Sequence, residues 1–226
     1  GADDFVVDGD MAYTIQTADA SSTDTDYSGV AVADVTATNS DDDTASVAVA
    51  PTAGLVTTET LGQAQFTIVL TSEPAAPVTI GISSSDSTEG TVSPTSVTFE
   101  TTDWSAAVTV TVTGVNDEVD DGDILYNVLT AKAVSADTDY SGLDPADVSV
   151  TNMDNDVAGI TVNPTSGLST GEAGGTDTFT VALNTAPTAN VTVGLSSSNT
   201  AEGTVSPGSV TFTPETWSVA QTVMVT

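Results

Sequence analysis

The stretch AVTVTVTGV, Ala107–Val115, decides the fold. Val108, Val110 and Val112 fall on one face and Thr109, Thr111 and Thr113 on the other. Successive side chains leave a strand on opposite sides, so this period of two is the mark of a half-buried β-strand. Outward from it, SVAVAP, AQFTIVLTS, VTIGISSS, SVTFE, ILYNVLTAKA and ADVSVTN carry the same signature, and no apolar stripe at helical spacing interrupts them. Thr, Val and Ser suit a pleated, partly solvated surface. About seven such strands separated by turns, in a unit of about 100 residues, make an all-β sandwich the expected architecture.

That unit occurs twice. GADDFVVDGDMAY at Gly1 aligns with GVNDEVDDGDILY at Gly114, DTDYSG at Asp24 with DTDYSG at Asp137, and GISSSDSTEGTVSPTSVTF at Gly81 with GLSSSNTAEGTVSPGSVTF at Gly194. Trp104 and Trp217 keep the same offset of 113 residues, so two periods fill the 226-residue chain and about half of the aligned positions are identical. The clearest breaks lie at the acidic runs Asp41–Asp43 and Asp154-Asn155-Asp156, after which new strands begin. On that division residues 44–156 form a complete sandwich, 1–43 the C-terminal half of a preceding one, and 157–226 the N-terminal half of the next. Half sandwiches expose apolar faces and sheet edges. They are expected to be completed by neighbouring repeats of a longer chain, the preferred reading, or by other copies through strand complementation.

Charge narrows the function. Asp and Glu total 32 against one Lys or Arg, with no His and no Cys, for a formal charge of −31. Such a field excludes nucleic acid and anionic membrane as partners, and no apolar run reaches the roughly 20 residues of a membrane span. Without His, Cys or Arg there is no base or oxyanion partner to activate the abundant Ser and Thr, and an enzyme is not expected.

The acids are clustered. Asp3, Asp4, Asp8 and Asp10, then Asp41, Asp42 and Asp43, then Asp117, Asp121 and Asp123, then Asp154 and Asp156 sit at turns, while the strands carry almost none. Two carboxylates about 4 Å apart repel by roughly 1 kcal/mol in water and about 4 kcal/mol at an effective dielectric of 20. Lys132 alone cannot balance such groups. Calcium, which takes six to eight oxygen ligands, suits these residues, whereas zinc would call for the absent His or Cys. Gly9 and Gly122 would let the acidic loops turn tightly. Two other readings fit the same charges: solvated loops, and acid-rich adaptation to high salt.

The segments GITVNPTSGLSTGEAGGTDTFTVAL from Gly159, VTFTPETWSVAQTVMVT from Val210, VNDEVDDGD from Val115 and NMDND from Asn152 together resemble the Calx-β family. The resemblance covers the whole chain. It implies an Ig-like sandwich, calcium bound at the domain end, and, in bacteria, tandem arrays within very large secreted or surface proteins such as adhesins. It assigns Glu59 and Glu172 as the early Glu of each repeat, Asp117, Asp121 and Asp123 as the paired-acid segment, and Asp154 and Asp156, with Asp41 to Asp43, as the closing run. DDGD at Asp120 departs from the Glu-rich pairs usual there.

DTDYSG matches the first half of an EF-hand loop but places Val35 and Val148 where the bidentate Glu belongs, and reads as a turn. Trp104 and Trp217 read as core plugs. The expected function is a structural, extracellular, calcium-rigidified module strung into a rod, stalk or matrix filament, each module advancing it by on the order of 40 Å. The rival is an adhesion module gripping carbohydrate or a host surface through exposed loops.

Overall fold

The computed structural model describes residues 1–226 and consists of strands and turns without a helix. β1 (Met11–Ile15) and β2 (Val35–Asn39) form an antiparallel two-stranded ribbon. The central repeat contributes β3 (Val47–Ala50), β4 (Leu55–Thr58), β5 (Gln63–Leu70), β6 (Val78–Ser84), β7 (Gly90–Ser93), β8 (Ser96–Phe99), β9 (Val108–Gly114), β10 (Ile124–Thr130) and β11 (Val148–Met153). The last third holds β12 (Ile160–Asn163), β13 (Asp177–Leu183), β14 (Val191–Gly194), β15 (Val205–Ser206), β16 (Ser209–Phe212) and β17 (Gln221–Val225).

Two sheets make the central sandwich, ordered β3-β5-β9-β7 and β4-β11-β10-β6-β8. Their inner faces share one core. Phe66, Ile68 and Leu70 of β5 and Val110 and Val112 of β9 meet Val78, Ile80 and Ile82 of β6, Tyr126 and Val128 of β10, and Val148 and Val150 of β11. In β9 Val110 and Val112 are buried and Val108 is half-buried, while Thr109 is exposed and Thr111 and Thr113 half-buried, so the valines face inward as the period of two predicts. Each such aliphatic side chain contributes about 1.5–3 kcal/mol by leaving water. A charge at Val110, which is wholly buried, would therefore break the core.

The sandwich has nine strands where the pattern of alternation predicts about seven. β7 is the four-residue stretch GTVS, bounded by a turn and by Pro94, too short to show a period. β4, LVTT, does not alternate either; it exists because it pairs parallel with β11, Val150 opposite Leu55 through Met153 opposite Thr58. A pairing between segments so far apart leaves no local trace in the sequence.

Outside the centre the same ladders recur in part. β1-β2 corresponds to β10-β11, and the sheet β12-β13-β17-β15 repeats the order β3-β5-β9-β7. β14-β16 corresponds to β6-β8. Leu168–Gly171, which aligns with β4, is not a strand, because nothing equivalent to β11 lies beside it. The core shrinks accordingly: sixteen buried residues in the centre against Val181, Val210, Phe212 and Val223 in the last third. Tyr13, Ile15 and Val35 of the N-terminal ribbon are about half exposed.

Candidate metal centre

The acids converge at one end of the central sandwich, where β4, β9 and β11 run out and the chain passes to the next repeat. Glu59 follows β4 directly and is held there by its own backbone, the Glu59 amide donating to the Met153 carbonyl at 3.2 Å. Its side chain is 3% exposed. Carboxylate oxygens of Glu59, Asp154 and Asp156 all lie within 4.8 Å of one another, and so do those of Glu89, Asp117 and Asp121. Two three-carboxylate groups are thus built around two buried glutamates.

Asn152, on β11, anchors Glu89. Its Nδ2 donates to Glu89 Oε2 at 3.2 Å and to the Val115 carbonyl at 3.0 Å, while its Oδ1 accepts from Thr57 Oγ1 at 3.0 Å. Asn155 does the same for the other glutamate: its backbone amide and its Nδ2 each donate to Glu59 Oε2 at 3.1 Å. Gly90 lets the Tyr126 hydroxyl press against the chain beside Glu89; a Cβ at that position would strike it.

The acidic loop is fixed by backbone donors to carboxylates. Gly122, in the left-handed region at φ 78°, donates to Asp154 Oδ2 at 2.8 Å; Asp156 N donates to Asp154 Oδ1 at 2.7 Å, and Asp154 N to Asp123 Oδ1 at 3.1 Å. The N-terminal copy reproduces this: Gly9 N and Asp43 N donate to the two oxygens of Asp41 at 2.7 and 2.9 Å, and Asp41 N to Asp10 Oδ1 at 3.0 Å. These amides hold the Asp154 and Asp41 carboxyls below the ordinary range. Burial, and then the neighbouring acids, push Glu59, Asp121 and Asp156 up. Glu89 is raised by burial too, against the opposing hydrogen bond from Asn152. Nothing cationic relieves the crowding, since Lys132 stands 3.9 Å from Asp144 on the surface.

Of the fourteen acids singled out from the sequence, Glu59, Asp117, Asp121, Asp154 and Asp156 come together here. Asp123 braces the loop instead of facing the others. Asp3, Asp4, Asp8 and Asp41 to Asp43 line an open basin of about 500 Å³ at the N-terminus, with Asp10 bracing it, but no buried glutamate stands there. Glu172 is exposed and has no acidic partners, because its closing run would come from a β11 equivalent. Glu89 is the residue that sequence reasoning missed. The signal was present in the matched TEGTVSP and AEGTVSP, which keep an acid, Glu89 and Glu202, at a strand start in both repeats.

No family model and no curated protein sequence matches the chain. Among solved structures it is similar to the apo form of the Calx CBD1 domain, with 11% identity over 49% of this chain and 96% of that one at a TM-score of 0.37. It is also similar to CBD12 from CALX1.2, with 14% identity over 79% and 74% at a TM-score of 0.39. The periplasmic chaperone SfaE is a third, with 13% identity over 60% and 92% at a TM-score of 0.38. These likenesses are weak, and what the site can do is decided by the chain's own residues.

Proposed function

We propose that the chain is a calcium-binding structural module, repeated in tandem and stiffened by the metal into an extracellular rod, stalk or filament. The observation that supports this best is the convergence of four aspartates on buried Glu59 and Glu89, six carboxylates in two groups with no cation to balance them. The donor set fits calcium: hard oxygens only, enough of them for a cation that takes six to eight, and no His or Cys. Glu59, Asp154 and Asp156 would hold one ion and Glu89, Asp117 and Asp121 another. A bound divalent cation supplies the charge that lets these groups ionise together.

Stiffening follows from where the loop lies. Asp120 Oδ2 accepts from Ala158 N at 2.7 Å, and the Glu118 carbonyl from Ala186 N at 2.6 Å, so the segment carrying Asp117 and Asp121 already touches the next repeat. Fixing that segment would fix the angle between modules. Extracellular modules of this chemistry fill at about 10⁻⁴ to 10⁻³ M calcium, a level met outside cells.

Thermal unfolding of the full chain in chelator, calcium and magnesium tests the proposal. Calcium at 100 times its Kd adds about 2.7 kcal/mol per site. A rise in Tm specific to calcium and reduced in Glu59→Gln supports it; a Tm indifferent to calcium but sensitive to bulk salt overturns it.

A further inference from the structure

Both outer faces of the central sandwich are free of charge, in a chain of formal charge −31. Only one of them is apolar. On the sheet β4-β11-β10-β6-β8, Val56, Leu125, Leu129 and Met153 alternate with core residues and point outward, and Val134 joins them through its bridge to Thr79. Register sets Leu125, Thr151 and Val56 in one row across three strands, with Met153 two residues along β11 from that row. The five aliphatic side chains are exposed by 39% at Leu129 up to 71% at Val134. Single exposed aliphatics are ordinary, but five on one sheet face form a patch.

The fold does not require them. Val56, Leu125, Leu129, Val134 and Met153 align with Ser169, Ala12, Gln16, Ser21 and Ser40. The inward positions of β10 behave differently, since Ile124, Tyr126 and Val128 align with Met11, Tyr13 and Ile15 and stay apolar. What the outer aliphatics serve therefore lies outside the sandwich.

Charge selects the occupant. β10 is centred on Asn127, with Leu125 and Leu129 two residues to either side. Exposed Asp120 and Asp123 stand just before the strand, and Lys132, the sole Lys or Arg of the chain, just after it. Lys132 aligns with Asp19, so it too is particular to the central repeat. Its contact with Asp144, at 3.9 Å and exposed on both sides, leaves donors free. One strand thus carries an acidic end and a basic end at equal reach from its middle, which is complementary to the same strand turned end over end. The opposite sheet lacks this pattern, and its Gln63 and Gln65 are already bonded to Thr113 and Thr111 at 3.2 Å.

We infer that the β4-β11-β10-β6-β8 face pairs side by side with the same face of a second copy, about a two-fold axis crossing β10 at Asn127. The two β10 strands run antiparallel across the contact, with Leu125 of one copy over Leu129 of the other. Lys132 of each copy faces the acids around Gly122 of its mate, so the charge contact forms twice, as an isologous interface requires. This adds a lateral contact to the module proposed above and does not rest on its calcium, for Asp120 and Asp123 belong to neither three-carboxylate group.

Sedimentation equilibrium of the full chain at physiological salt, where charges are screened beyond about 8 Å, measures the pairing. A monomer–dimer equilibrium is expected. The triple variant Leu125→Ala, Leu129→Gln and Val134→Ser borrows the aligned residues, and should raise the dissociation constant more than about tenfold with the far-UV spectrum unchanged. Lys132→Glu should raise it less, by an amount that shrinks as salt is added. The chain has no cysteine, so spin labels can be placed singly. Labels on Asn127→Cys should read a short distance set by the spacing of packed sheets, about 10 Å, and labels on Thr111→Cys, on the far face, at least about 30 Å. A chain that stays monomeric, association unmoved by the triple variant, or Asn127 labels no closer than Thr111 labels would each overturn the inference. Pairing in chelator with a calcium-indifferent Tm would sink the calcium reading and leave this one standing; a calcium-raised Tm in a chain that stays monomeric would do the reverse.

Discussion

Asp24–Gly29 and Asp137–Gly142 are the same six residues in two situations. In the central repeat the tyrosine is sealed in the core, 1% exposed, and in the N-terminal ribbon it stands 63% in solvent. Both turns are otherwise alike, each closed by a hydrogen bond from the Ser amide to the carbonyl of the leading Asp, at 2.9 Å around Asp137 and 3.1 Å around Asp24. Local sequence therefore sets the turn, and the opposing half of the sandwich sets the burial. The acids obey the same division. The Gly-to-Asp brace forms in both copies, but the three-carboxylate groups form where both halves of a repeat are present.

The largest difference between the two turns should come from truncating their tyrosines. Tyr140→Ala removes a buried ring and its bonds to Ser72, and is expected to cost the central sandwich about 3–5 kcal/mol. Tyr27→Ala, at a side chain 63% exposed, should change stability by no more than about 0.5 kcal/mol. Urea unfolding of the two variants, followed by tryptophan fluorescence, makes the comparison; equal losses would show that burial does not separate them.

Next in size is the contrast between Glu59 and its aligned partner Glu172. Glu59→Gln should remove one ion's share of the calcium stabilisation, about 2.7 kcal/mol at 100 times Kd, and Glu89→Gln the other. Glu172→Gln should leave the calcium response intact, because no second or third carboxylate faces it. Calorimetric titration of the three variants decides between these outcomes.

How much of this could be read in advance depended on range. The valines of β9 announce a strand because their neighbours lie two residues away, whereas β4 takes its identity from β11, nearly a whole repeat further on. For the same reason the acids of the turns stood out as clusters, while Glu89 looked like an isolated charge beside a short strand. Its company, Asp117, Asp121 and Asn152, arrives only when β7, β9 and β11 are brought together. The N-terminal acids and Glu172 were legible as residue types, but their sequence could not state that each holds half of a set.

A smaller effect concerns pH. Glu59, Glu89, Asp121 and Asp156 have folded-state pKa values above the ordinary range, so the native state takes up protons more readily than the unfolded chain. The sign is that metal-free protein loses stability as pH rises from about 4 through those raised values, and stays at the lower level above them. Asp154 and Asp41 act oppositely, their contribution being present above about 4 and lost as pH falls below it. Calcium binds the deprotonated groups, so in its presence the slope above pH 4 should reverse. Urea midpoints measured across pH, with and without chelator, should diverge towards neutrality. Parallel curves would break the link between crowding and metal.

The smallest expected effect is at Lys132. Its pairing with Asp144 at 3.9 Å is exposed on both sides, and Lys132→Ala should change stability by less than about 0.5 kcal/mol without touching the calcium response.

The parallel pairing of β4 with β11 also orders events in time. A chain leaving the ribosome emerges from its N-terminus, and β4 appears early while β11 appears last within its repeat. Each repeat must therefore wait, edge unpaired and glutamate unpartnered, until its own tail is out.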